Sequence, residues 1–174
     1  MRPLALGILF FCFGQVSAEQ LCDTSAFPLS APTERFEDNN DGTVTDIASR
    51  LMWMRCSIGQ TWSQGQCAGD ASRHTRTSAD AQAESLNQGG TQFYNDWRVP
   101  TLRELASITE RQCTNPRINL EIFPGTPSGR YWTASPVVGP EAASHAYSIG
   151  FGTEGVARSS TEEEHYVRLV RFDQ

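Results

Sequence analysis

The sequence predicts an α+β domain with a mainly antiparallel sheet, two helices, many loops and two disulfides. Three observations carry this prediction. Extended segments at both ends enclose two helical segments, an order that suits helices packed on an antiparallel sheet. Once the first eighteen residues are set aside, the cysteines are even in number. Neither an internal repeat nor a linker divides the remaining chain, and 174 residues suit one domain.

Met1-Arg2, the apolar stretch Leu4 to Gly14 and the small residues Val16-Ser17-Ala18 have the layout of a secretory signal cleaved after Ala18. A buried N-terminal core helix is the competing reading. Residues 19–32 form an N-terminal arm, rich in Ser, Thr and Pro from residue 23, and residues 33–172 form the domain. Arg35 to Asp38 and Thr43 to Asp46 read as a hairpin turning at Asp41-Gly42, and Leu51 to Met54 as a buried strand. Ser57 to Thr77 is polar and Gly-bearing and reads as a loop. A helix is expected from Ser78, with Ala79, Ala83 and Leu86 on one face and Gly89-Gly90 as its stop. A second follows Pro100, with Thr101 and Glu104 at the spacing of a capping box. Tyr131 to Ala134 is extended. Tyr147, Ile149 and Phe151 alternate as in a half-buried strand, which Gly155 to Arg158 pairs back onto. Tyr166 to Phe172 reads as one terminal strand.

The composition narrows the function classes. Aromatic residues make up 10% of the chain and charged residues 20%, values unlike those of disordered chains. The net charge is −6, and all 14 basic residues are arginine. No broad basic face for nucleic acid is expected, and no apolar run is long enough to span a bilayer. Removing the leader takes away Cys12 and leaves Cys22, Cys56, Cys67 and Cys113. In an exported chain these point to two disulfides. Cys56 and Cys67 flank one short loop and pair with each other, which leaves Cys22 for Cys113. A four-cysteine zinc site is the alternative, but closely spaced cysteine pairs are missing.

Several strings occur in a fixed order: Asp41-Gly42-Thr43-Val44-Thr45-Asp46, Leu51-Met52-Trp53-Met54-Arg55-Cys56, Gly59-Gln60-Thr61-Trp62, Asp96-Trp97-Arg98-Val99-Pro100-Thr101-Leu102-Arg103-Glu104-Leu105, Ile118-Asn119, Phe123-Pro124, Tyr131-Trp132-Thr133-Ala134-Ser135 and Val167-Arg168-Leu169-Val170-Arg171. Together they resemble the bacterial domain family named for the C-terminal domain of a Legionella collagen-like adhesin. The resemblance spans residues 33–172. It implies a C-type-lectin-like fold, distantly similar to that of the formylglycine-generating enzyme, in which the first and last strands pair and loops carry the variable chemistry. The best-known relative binds sulfated polysaccharides. This chain has no collagen-like Gly-X-Y stretch, and its acidity disfavours polyanions.

Candidate chemistry is sparse. Asp38, Asn39, Asp41 and Asp46, with Asn40, offer oxygens for calcium, yet an EF-hand register ends on Ala48 where a Glu is needed. The same residues suit a plain tight turn. Arg98 reads either as a fork for an anion or as the partner of Glu104 or Asp96. His74, His145 and His165 are far apart and read as isolated surface residues. Trp53, Trp97 and Trp132 lie in apolar strings and read as core, whereas Trp62, in the cysteine-flanked loop, is the candidate ligand contact. Glu162-Glu163-Glu164 reads as a solvated loop. Catalytic motifs such as a nucleophile elbow or a P-loop do not occur. The expectation is therefore a secreted or periplasmic, non-enzymatic binding or adhesion module without a cofactor. Its ligand would be an extracellular or envelope glycan or protein, met by loops 57–77 and 136–165. The alternatives are an enzyme on the formylglycine-generating-enzyme scaffold and a structural envelope component.

Overall fold

The computed structural model describes residues 20–25, 27–89 and 94–173. The expected signal segment lies outside them. Strand β1 (Leu21–Cys22) and a 3₁₀ turn (Thr33–Arg35) precede β2 (Phe36–Asp38), β3 (Thr43–Asp46) and β4 (Leu51–Met54). Next come β5 (Thr61–Ser63), β6 (Gln66–Ala68), β7 (Arg73–His74), helix α1 (Arg76–Gln88) and helix α2 (Leu102–Ser107). The chain ends with β8 (Cys113–Thr114), β9 (Arg130–Pro136), β10 (His145–Gly150), β11 (Gly155–Ser160), β12 (His165–Tyr166) and β13 (Val170–Phe172).

The strands form one sheet in the order β13-β4-β3-β2 and another in the order β11-β10-β9-β12-β7. Two ribbons, β1-β8 and β5-β6, complete the set. Every pairing between these strands is antiparallel except β9 with β12. Disulfides join Cys22 to Cys113 and Cys56 to Cys67, the expected pairs. The two expected helices are present, so the architecture is the mainly antiparallel α+β one that the sequence predicts.

Two apolar clusters fill the interior. One gathers Trp53, Leu105, Ile108, Phe123, Tyr131 and Phe151, joining both larger sheets to α2. The other gathers Met52, Ala79, Ala83, Trp97, Trp132 and Leu169, which seats α1. Trp53, Trp97 and Trp132 are core residues, as their apolar surroundings indicated.

Five expectations about the chain path are corrected. Helix α1 starts two residues before Ser78, because the Thr75 hydroxyl accepts the Ser78 N–H and caps the helix earlier. The stretch 57–77 is not a plain loop. It contains the β5-β6 hairpin, turned by Gln64 and Gly65 at φ of 51° and 78°, and β7. The final strand is two strands, since the chain crosses between sheets at Val167 to Leu169. The Ile58 and Met54 amides bind the Val167 and Leu169 carbonyls across that gap. Strand β10 is central rather than half-buried, with Ser148 fully buried and its Oγ 2.9 Å from Ser159 Oγ. Finally, the first and last strands do not pair: β1 lies against β8 and β13 against β4.

A cleft beside Trp62

The β2-β3 turn organises one wall of a cleft. Asp41 Oδ1 accepts the Thr43 amide at 2.9 Å and its hydroxyl at 2.6 Å, which sets the turn before Gly42. Gly42 has φ of 89°, and a β-carbon there would lie 2.8 Å from Trp62 Cβ and Cγ. The glycine is thus required twice, for its left-handed backbone and for the closeness of the indole. Trp62 sits on β5, directly opposite Cys67 of β6, so the Cys56–Cys67 disulfide anchors its hairpin to the end of β4. The Arg55 guanidinium lies 4.2 Å from the indole centroid. That guanidinium is itself fixed by the carbonyls of Ile122 and Glu121 and by Asp38 at 2.7 Å. Trp62 is therefore half-buried and held in place, unlike the three core tryptophans.

In front of it is a cleft of about 360 Å³. Met54, Ile58 and Leu86 supply apolar wall, and Asp41, Thr61 and Gln82 supply polar groups at its edges. Leu86 and Gln82 come from α1, which the helical spacing located but could not aim at β5. Behind the cleft, Ser57 Oγ is 2.8 Å from Tyr131 Oη, and both residues are buried. Burial pushes the Tyr131 hydroxyl pKa up, against the nearby Arg168 charge and the Ser57 hydrogen bond, so the phenol stays protonated.

The oxygens considered for calcium are spread among protein donors. Asp38 serves Arg55 and the Asn40 amide, and Asn39 donates to the Thr43 and Thr45 hydroxyls. Asp46 is buried in a two-pronged pair with Arg35 and also accepts from Ser49 and the Ala48 amide. Burial opposes its charge, but Arg35 and Ser49 outweigh that and hold its carboxyl below the ordinary value. Among the described residues, no three His, Cys, Asp or Glu side chains converge as a metal site would require.

Arg98 takes Glu104 as partner, and Asp96 pairs instead with Arg171 at 2.5 Å. Two of the three histidines are not isolated surface residues, whereas among the described residues the partly exposed His145 ring bonds only the hydroxyl of its neighbour Ser144. His74 and His165 are cross-strand partners on β7 and β12, and His165 is buried with its ring 4.4 Å from that of Trp132. Their separation of ninety-odd positions in sequence concealed this pairing. Residues 136–165 do not line the Trp62 cleft. Glu163, Glu164 and His165 border a different one, with Arg73 and Arg130. Every cysteine among the described residues is in a disulfide. No helix among them is long and apolar enough to cross a membrane.

Comparison with curated proteins finds no match. The family model described as the Lcl C-terminal domain matches residues 42–171. That span runs from the glycine under Trp62 to the arginine that holds Asp96, and takes in the strings of the sequence and the cleft lining apart from Asp41, and both larger sheets apart from β2 and Phe172. The chain belongs to the Lcl C-terminal domain family.

Proposed function

We propose that this protein is an exported, non-enzymatic binding module that holds a glycan in the Trp62 cleft. One observation carries the reading: a half-exposed indole, immobilised by Arg55, Gly42 and the hairpin disulfide, beside a cleft with apolar walls and polar edges. A pyranose presents the complementary surface, with C–H groups for an aromatic face and hydroxyls for Asp41, Thr61 and Gln82. Because the protein holds the indole still before the ligand arrives, little side-chain entropy is lost on binding. Export to the periplasm or beyond is supported by the two disulfides, which persist in oxidising compartments, and by the leader-like first eighteen residues. The same reading takes residues 33–172 as the binding domain and 19–32 as its arm.

The test is a glycan array on the non-reduced protein, followed by titration of a hit. Trp62→Ala is expected to abolish binding and Trp62→Tyr to retain part of it, with the melting temperature monitored for both. An empty array, or a hit that Trp62→Ala binds equally well, overturns the glycan reading. Mass spectrometry of the exported protein tests the rest, with an N-terminus at Glu19 and two intact disulfides expected.

A further inference from the structure

A second, smaller pocket of about 140 Å³ lies between the end of α2 and the β10-β11 hairpin. Ala106, Ile149 and Val156 make it largely apolar, and Arg111 and Arg117 are its charged residues. Neither arginine is in an ion pair among the described residues, and the same holds for Arg50, Arg73, Arg103, Arg130 and Arg168. What sets Arg111 and Arg117 apart is that both line one pocket whose lining contains no carboxylate, in a chain with more carboxylates than arginines.

The nearest carboxylate in the backbone pairing is Glu110, whose amide donates to the Arg117 carbonyl. Its side chain is committed elsewhere. It is 1% exposed and accepts from the Ser30 amide and hydroxyl, the Ala31 amide and the Gln112 amide. Arg117 is held by its own amide, which donates to the Phe151 carbonyl at 2.6 Å. Its Nε is buried and has no acceptor among the described residues. That nitrogen is closed off from a pocket ligand, so an anion would instead meet the terminal guanidinium nitrogens of Arg117, which are not among the buried atoms without a partner.

We propose that Arg111 and Arg117 form a subsite for a small carboxylate that carries a short aliphatic body. The guanidinium groups present planar donors matched to a carboxylate, and the apolar wall takes the carbon chain. The volume holds about four to five waters, which limits the body to a few carbons. Either a free branched-chain acid or the C-terminal carboxylate of a chain ending in an aliphatic residue has this chemistry. The inference is independent of the Trp62 reading, since the two pockets share no residue.

Calorimetric titration of the whole protein tests it, with isobutyrate, isobutyramide, N-acetylvaline and inorganic sulfate as probes. Isobutyrate or N-acetylvaline is expected to bind saturably, and the tighter of the two identifies the free acid or the chain terminus as the source. Isobutyramide, the neutral isostere, is expected to bind at least about tenfold more weakly. Arg117→Gln should weaken the acids by a similar factor. Val156→Glu, at an exposed wall position, should block them by supplying an internal carboxylate while the protein stays folded. Trp62→Ala should leave them unchanged. No saturable binding of either acid, equal binding of the amide, sulfate binding as tight as the acids, or indifference to both pocket variants overturns the proposal.

Discussion

Arg98 and Glu104 form a two-pronged ion pair, Nη1 to Oε2 at 2.8 Å and Nη2 to Oε1 at 2.7 Å. The same carboxylate accepts the Thr101 amide at 2.7 Å while the Thr101 hydroxyl accepts the Glu104 amide, completing the capping box of α2. Arg98 in turn exchanges backbone hydrogen bonds with Val170, so the cap of a six-residue helix is tied to the last strand. Glu104→Gln retains a capping side chain but loses the charge. It is expected to cost about 1–2 kcal/mol, the lower part of the range for charged hydrogen bonds because Arg98 is partly exposed. Urea denaturation of the variant against the parent checks this.

Acid should destabilise the protein in two stages. Burial, the dominant influence, lowers the pKa of both His74 and His165 from the ordinary 6.5. For His165 the Glu164 carbonyl and Glu163 oppose that effect, and Arg130 and Arg73 reinforce it. A group whose folded pKa is depressed contributes stability above its unfolded value and loses it as pH falls through the folded value. The first decline is therefore expected below about pH 6.5. Glu104, Glu110 and Asp46 also lie below their ordinary values of 4.5, 4.5 and 3.8. In each, burial acts against the charge but is outweighed, by hydrogen bonds and an arginine for Glu104 and Asp46 and by hydrogen bonds alone for Glu110. Their loss adds a second, steeper decline below about pH 4.5. Melting temperature measured across this range should show both, and His165→Phe, which keeps a ring against Trp132, should flatten the first.

Arg168 is fully buried and, among the described residues, has no carboxylate partner. Its guanidinium donates to the Met54 carbonyl at 2.8 Å, to Thr126 Oγ1 at 2.7 Å, to Ser57 Oγ at 3.3 Å and to the Arg55 carbonyl. It also lies 4.8 Å from the Phe123 ring centroid. These groups belong to two separate stretches of chain, residues 54–57 and 123–126, which the arginine holds to its own at the sheet crossing. Arg168→Ala strands several buried acceptors and should cost about 3 kcal/mol or more. Arg168→Lys, with a single ammonium, should recover only part of this. Denaturant midpoints of the two variants test the order.

Acrylamide should quench one tryptophan in four. Trp53, Trp97 and Trp132 are between 0% and 2% exposed, and Trp62 alone is half-buried beside open solvent. Trp62→Phe is expected to remove the quenchable part of the emission and leave a core signal that acrylamide barely alters. A quenchable remainder in that variant would mean that a second indole is open to solvent.

Much of the framework is legible in the sequence because its cause is local. Asp41-Gly42 marks the hairpin, Thr101 and Glu104 mark a helix start, and Cys56 and Cys67 are only 11 positions apart. The misplaced elements lacked such a marker. Gln64-Gly65 is not among the strongest hairpin dipeptides, and Thr75 gives no sign that it caps α1 until the Ser78 amide is placed. The run Tyr166 to Phe172 has the composition of one strand. Its division follows from the two sheets that receive it.

The arginines show the same boundary from the other side. The absence of lysine is visible in the sequence, but its use is not. Arg35 and Arg98 grip carboxylates with two nitrogens each, and Arg55, Arg98, Arg168 and Arg171 lie over aromatic rings at 4.2 to 4.9 Å. Planarity and delocalised charge permit both contacts, and a lysine ammonium supplies neither fork nor plane.

By itself, then, the sequence determined the α+β class, the hairpin and capping signals, the pairing of the cysteines and the family. Each depends on residues a few positions apart, on parity, or on the order of short strings. Only the tertiary structure decided that Trp62 faces Leu86 and Gln82, that His74 meets His165, and that Arg111 and Arg117 share a pocket without a carboxylate. Those relations arise when distant strands and helices pack, and one-dimensional spacing carries no term for the direction in which a side chain then points.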